Sequence, residues 1–131
     1  MKRFFSILLL QGFILLSSVS SMTVGQFRNR ERALIDEWNS LVGLQRTLKG
    51  EAYINFKNYM FGFSDAMGQC YEIAYSYVGA EVLYKQYLEW SEGTQRLKNY
   101  CDSDGRFRRY YYDAGFDRVD KMTRRFSSSD F

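Results

Sequence analysis

At 131 residues, with 18 basic and 15 acidic side chains and no histidine, the chain holds one packed domain and little net charge. The missing histidine excludes a Ser-His-Asp triad, a Cys-His pair and the commonest metal ligand together. With only two cysteines besides, no zinc ligand set is available, and neither a metal nor a cofactor is expected.

The chain opens Met1-Lys2-Arg3 and runs into the apolar stretch Phe4–Leu16, followed by the small residues Ser17–Ser21. That is the layout of a secretory signal peptide, cleaved after Ser20 or Ser21. The expected division is a signal peptide at 1–21 and a single helical domain at 22–131, with a frayed start and a loose Ser-rich tail. The expected location is secreted or periplasmic. An apolar run this short falls below the roughly 20 residues of a membrane span. An uncleaved anchor made by residues 4–21 is the alternative, and a buried core helix a third. Lys2 and Arg3 leave with the signal peptide, so 16 basic residues then face 15 acidic ones, a net +1. A nucleic-acid partner thereby loses its main compositional support. In an exported protein Cys70 and Cys101 are expected to form a disulfide. It closes a loop of about 30 residues, worth about 3–4 kcal/mol on the chain-entropy account. Two buried or metal-binding thiols are the other reading.

Phe27–Leu48 carries Phe27, Leu34, Ile35, Trp38, Leu41, Val42 and Leu48 in one wedge of a helical wheel, and Gly50 comes after it as a stop. Glu51–Phe63 repeats the pattern with Ala52, Phe56, Tyr59 and Phe63. Gly62 is a candidate bend or break, and Ser64-Asp65 a candidate cap for the next helix. One continuous helix from Glu51 to Trp90 is the alternative, since no proline interrupts the chain.

Ser64–Trp90 is the longest amphipathic stretch. Ala66, Cys70, Ile73, Tyr77, Ala80, Tyr84, Tyr87 and Leu88 share one side at a 3.6-residue period. So many tyrosines on that side require a facing surface with hydrogen-bond acceptors. Beside it runs a second strip, Tyr71, Tyr75, Val78 and Val82. Apolar residues over more than half of a circumference mean packing on two sides, or packing on one and a contact surface on the other. This second strip is the candidate partner-binding surface.

Gly93 marks an end or a tight turn, and Thr94–Cys101 two further helical turns. Asp102–Gly105 reads as a turn. As a calcium loop it fails, because counting Gly105 as the sixth position puts Tyr100 first and Tyr111 last. Arg106–Phe126 has strand-like composition at Phe107–Tyr112. Even so, Tyr112, Gly115, Val119, Met122 and Phe126 share a helical side, and Asp117→Lys121 and Asp120→Arg124 are well-ordered i, i+4 pairs. The expected fold is all-α, a bundle of about four amphipathic helices with one disulfide.

Catalytic chemistry is scarce. Glu89 and Glu92 stand three apart on a helix, the spacing of a carboxylate pair, but a glycosidase also needs a deep cleft. Glu81 leans onto the apolar side and is placed to pair with Lys85. The Arg108-Arg109-Tyr-Tyr-Tyr112 run has the chemistry to stack bases, which export argues against. Arg108-Arg109 and Arg124-Arg125 are dibasic, as precursor cleavage sites are, or simply surface charge.

The run Tyr59-Met-Phe-Gly62-Phe-Ser-Asp65-Ala66 resembles the Y-x-x-G-x-x-D-[AG] helix of small periplasmic immunity proteins directed against type VI secretion amidase effectors. Val82-Leu-Tyr-Lys-Gln-Tyr-Leu88 is similar to that family's second amphipathic helix. The resemblance covers roughly a third of the chain and implies an all-α domain that blocks a partner protein, with Cys70 and Cys101 standing for one of its disulfides. It assigns no binding residues. The expected function is that of a small exported helical binding protein, inhibitor- or immunity-like, acting on another protein without catalysis. A helical carrier of an apolar ligand, a membrane-surface protein and a secreted signalling protein are the alternatives.

Overall fold

Two reciprocal glycines set the architecture. Gly62 and Gly115 lie on different helices whose backbones touch. A Cβ on Gly62 would fall 1.9 Å from the Tyr112 carbonyl oxygen, and one on Gly115 would fall 1.9 Å from that of Tyr59. At such a contact only hydrogen fits, and Cα–H groups lie against the facing carbonyls. Gly62 therefore neither bends nor breaks its helix. It is the point where another helix crosses it.

The computed structural model describes residues 24–129, with side chains for 25–123. The signal-peptide and anchor readings of residues 1–21 lie outside them. Four helices succeed one another, α1 Val24–Gln45, α2 Gly50–Val78, α3 Glu81–Asp102 and α4 Arg109–Ser129, with a 3-10 turn at Ser103–Gly105. The all-helical bundle expected from the periodicity is present, but its divisions differ. Glu51–Phe63 and the first half of the long amphipathic stretch form the single helix α2. Ser64-Asp65 lies inside it and caps nothing. The break comes at Gly79, whose φ of 73° is left-handed and whose N–H bonds to the Tyr75 carbonyl at 2.7 Å. Glycine takes that conformation without the penalty a Cβ brings, which is why the chain turns here. Gly93, read as a stop, lies within α3.

α2 is the central member. It packs chiefly against α3 and α4, and α1 lies against α2 and α4. From Asn58 to Ala74 most of its side chains are buried all round. A helix closed in on every side reads as apolar on every side, which explains the breadth of its apolar strip. The larger core cluster joins Phe27 and Leu34 of α1, Phe63, Met67, Cys70 and Tyr71 of α2, Leu83 of α3, and Val119 and Met122 of α4. Trp38 stacks edge-on to Trp90 at 5.2 Å and lies against Phe63 at 5.8 Å. A smaller cluster holds Met60, Phe61, Leu97 and Cys101 at the opposite end of the bundle.

The disulfide does not form. Cys70 and Cys101 are both free and buried, one in each cluster. Cys101 packs beside Met60 and Phe61, ten residues along α2 from Cys70, or about 15 Å at 1.5 Å per residue. A disulfide needs Cα atoms within about 7 Å. Because α3 runs antiparallel to α2 from a turn at Gly79, Cys101 is carried to the far end of the bundle.

Buried polar groups hold the ends. Asn58 donates to the carbonyls of Ile54 and Arg106, both at 2.9 Å, and its oxygen accepts from the Arg108 N–H at 2.8 Å, clamping the link into α4. Arg118 donates through two nitrogens to the Glu37 carboxylate at 2.6 and 2.8 Å, tying α4 to α1.

Candidate functional site

The second strip divides when its residues are placed. Tyr71 is 1% exposed. Its ring meets Phe27 edge-on at 5.2 Å and stacks along Trp90, and its hydroxyl donates to Glu31. Glu31 also takes the Arg28 guanidinium at 2.6 Å. Tyr71 is thus a core residue and is removed from the candidate surface. Tyr75 is half-buried, its ring 5.2 Å from that of Tyr84. Val78 and Val82 are each 54% exposed, one on either side of the α2–α3 turn.

Around those two valines the structure exposes side chains that the wheel assigned to the core, namely Tyr77, Tyr84 and Leu88. For Tyr84 and Leu88 the wheel failed for a definite reason. It ran in one phase from Ser64 to Trp90, whereas the chain turns at Gly79 and α3 starts afresh at Glu81. On α3 the buried direction is set by Leu83, Leu97 and Cys101, which puts Tyr84 and Leu88 outward. The signal available was Gly79 itself, a glycine in mid-pattern.

The result is an apolar, tyrosine-rich corner at one end of the bundle, built from the last turn of α2 and the first two turns of α3. Its charges are few. Glu81 and Lys85 pair along α3 at 3.9 Å, as the i, i+4 spacing suggested. Isolated apolar side chains on a surface need no explanation, but five large ones between Tyr77 and Leu88, around a single turn, make this the candidate contact site. Tyrosine suits such a site because a large ring is fixed by two rotors.

No family model, curated protein or solved structure matches this chain. The corner must therefore be read from its own chemistry.

Elsewhere the candidates for catalysis are dispersed. Glu89 and Glu92 are both exposed on α3. Three partly buried carboxylates are engaged, Glu31 with Tyr71, Asp65 with Tyr112 and Glu37 with Arg118. Among the described residues no group of three or more Cys, Asp or Glu side chains is placed to hold a metal ion. Among them, too, no helix is long and apolar enough to cross a membrane. Burial and the nearby Asp120 push the Cys70 thiol up to about 12, and burial with Asp102 pushes Cys101 up to about 11. Both thiols are therefore protonated and poorly nucleophilic at neutral pH. The dibasic pairs are built into the last helix and its approach. Arg108 is bonded to Glu51 and to the Gly105 carbonyl, and Arg124-Arg125 falls within α4.

A second group of exposed aromatics, Phe107 and Tyr110, lies at the opposite end beside the start of α4. Phe107 packs edge-on against Phe61 and Tyr112, so it serves the core there.

Proposed function

We propose that this chain is a small exported binding protein that acts by protein–protein contact through the α2–α3 corner, without catalysis. The observation that carries this reading is the exposure of Tyr77, Val78, Val82, Tyr84 and Leu88 within the last turn of one helix and the first two turns of the next, joined by a two-residue turn. Helical corners are stiff, so the surface is organised before it binds and little ordering entropy is lost on contact. The inhibitor- or immunity-like role comes from the resemblance at Tyr59–Ala66 and Val82–Leu88. In that role the corner would cover a partner's working surface, and the partner would be a secreted or periplasmic enzyme.

The test uses the Tyr77→Ser, Val82→Ser double variant. Both positions are exposed, so the helical circular dichroism spectrum remains that of the wild type. Recovery of a partner from the exported fraction falls at least about tenfold, because anchor side chains at a contact centre contribute about 2 kcal/mol or more. Undiminished recovery would move the contact away from the corner. A toxin gene adjoining this one, whose product the chain neutralises, would establish the immunity-like role. Neutralisation without any effect of the double variant would separate that role from this surface.

A further inference from the structure

We infer that the α2–α3 corner also docks on a second copy of this chain across a two-fold axis level with Leu83, a reading that rests on the corner being the contact surface proposed above and adds self-association when no foreign partner occupies it. The argument comes from the order of side chains along the outward face of α3. Tyr84 and Leu88 form an exposed apolar row, and Glu81 and Lys85 stand along one edge of it, one helical turn apart, with side chains 78% and 69% exposed.

A two-fold axis perpendicular to α3 at this level lays a second α3 antiparallel against the first. Tyr84 then meets its own symmetry mate. Glu81 falls level with Lys85 of the second copy on the same edge, and Lys85 falls level with its Glu81, so two ion pairs form across the contact. One turn further along, Leu88 of each copy reaches the other's α2–α3 turn, where Val78 is exposed. One operation thus matches apolar to apolar and positive to negative. An isologous interface requires that self-complementarity, and a foreign partner does not. A bilayer is less well served by the same face, since Glu81 and Lys85 cancel and the next exposed charges along α3, Glu89 and Glu92, are acidic and repel anionic headgroups. Five exposed side chains cover well under the roughly 1,600 Å² of a stable complex. The dimer is therefore weak and forms with rising concentration.

Sedimentation equilibrium of the purified protein from micromolar to millimolar concentration tests this. The wild type shows a reversible monomer–dimer equilibrium. Lys85→Glu and Glu81→Lys, each alone, turn both cross-copy ion pairs into repulsions and weaken the dimer by at least about tenfold. An equimolar mixture of those two variants regains wild-type dimerisation, because one supplies two acids and the other two bases at the matched positions. Circular dichroism keeps the comparison to folded protein. Three results would overturn the inference: a wild type that stays monomeric at millimolar concentration, a dimer indifferent to the charge changes, or a mixture that does not recover. A monomer that instead co-sediments with vesicles of phosphatidylcholine and phosphatidylglycerol would assign the corner to a lipid surface and overturn it equally. A monomer whose capture of a foreign protein still depends on Tyr77 and Val82 would reject the second copy while leaving the contact function standing.

Discussion

Tyr71 and Tyr112 show what a buried tyrosine needs. Each is packed among aromatic rings, and each hydroxyl donates to a carboxylate on a neighbouring helix, Glu31 for Tyr71 and Asp65 for Tyr112. Burial, helped by those carboxylates, raises both phenols well above the ordinary tyrosine range. The requirement for acceptors opposite the tyrosines was legible in the sequence. Which tyrosine met which acceptor was not, because Glu31 lies 40 positions from Tyr71 and only the packing of α1 brings it there. Replacing the hydroxyl alone isolates the bond. Tyr71→Phe keeps the ring contacts with Phe27 and Trp90 and loses a hydrogen bond to a charged acceptor. It is expected to cost about 1.5–3 kcal/mol in equilibrium unfolding, and an unchanged denaturation midpoint would show that the bond contributes nothing net.

At the scale of elements, α2 and α4 are joined through backbone. The amphipathic side Tyr112, Gly115, Val119, Met122 indicated that α4 is a helix and which face is buried, and Gly115, Val119 and Met122 are buried there. The sequence did not indicate that Gly115 faces Gly62, since a glycine in a helix is as often a weak point as a close approach. Gly62→Ala or Gly115→Ala puts a methyl group 1.9 Å from a carbonyl oxygen, with backbone and not a flexible side chain in the way. The helices must separate, and either variant is expected to lose about 3 kcal/mol or more, beyond the roughly 1 kcal/mol that alanine gains over glycine in helix propensity. Gly43→Ala is the control, since nothing lies within 4 Å of its added Cβ. It is expected to be neutral or slightly stabilising in the same thermal melts, and equal melting temperatures for all three variants would contradict the crossing.

The molecule as a whole was legible in outline. Composition, the 3.6-residue period and the absence of proline indicated an all-helical bundle, and the turn at Asp102–Gly105 fell where it was expected. Three things were hidden by topology. The turn at Gly79 resets the helical phase, the antiparallel course of α3 parts the two cysteines, and the enclosure of α2 makes a core face resemble a contact face. The loss of the disulfide has a consequence for the response to pH. Both thiols are held protonated in the folded chain and ionise near 9 when exposed, as Tyr71 and Tyr112 do near 10. Above these ordinary values the unfolded chain releases protons that the folded chain retains. The stabilisation is therefore complete below about pH 9 and is lost as pH rises through 11 to 12. The thermal midpoint is expected to hold to about pH 9 and fall steeply beyond it, and a midpoint unchanged at about pH 11 would contradict the burial of these groups.

The central claim is that the apolar side chains at the α2–α3 corner are surface kept for a contact and not part of the core that holds the bundle together. Equilibrium urea unfolding of the Tyr77→Ser, Val82→Ser double variant, at a concentration where the protein is monomeric, tests it most directly. Two exposed positions are expected to change the unfolding free energy by no more than about 0.5 kcal/mol each. A loss of about 2–5 kcal/mol, the cost of truncating buried side chains, would return the corner to the core and contradict the account.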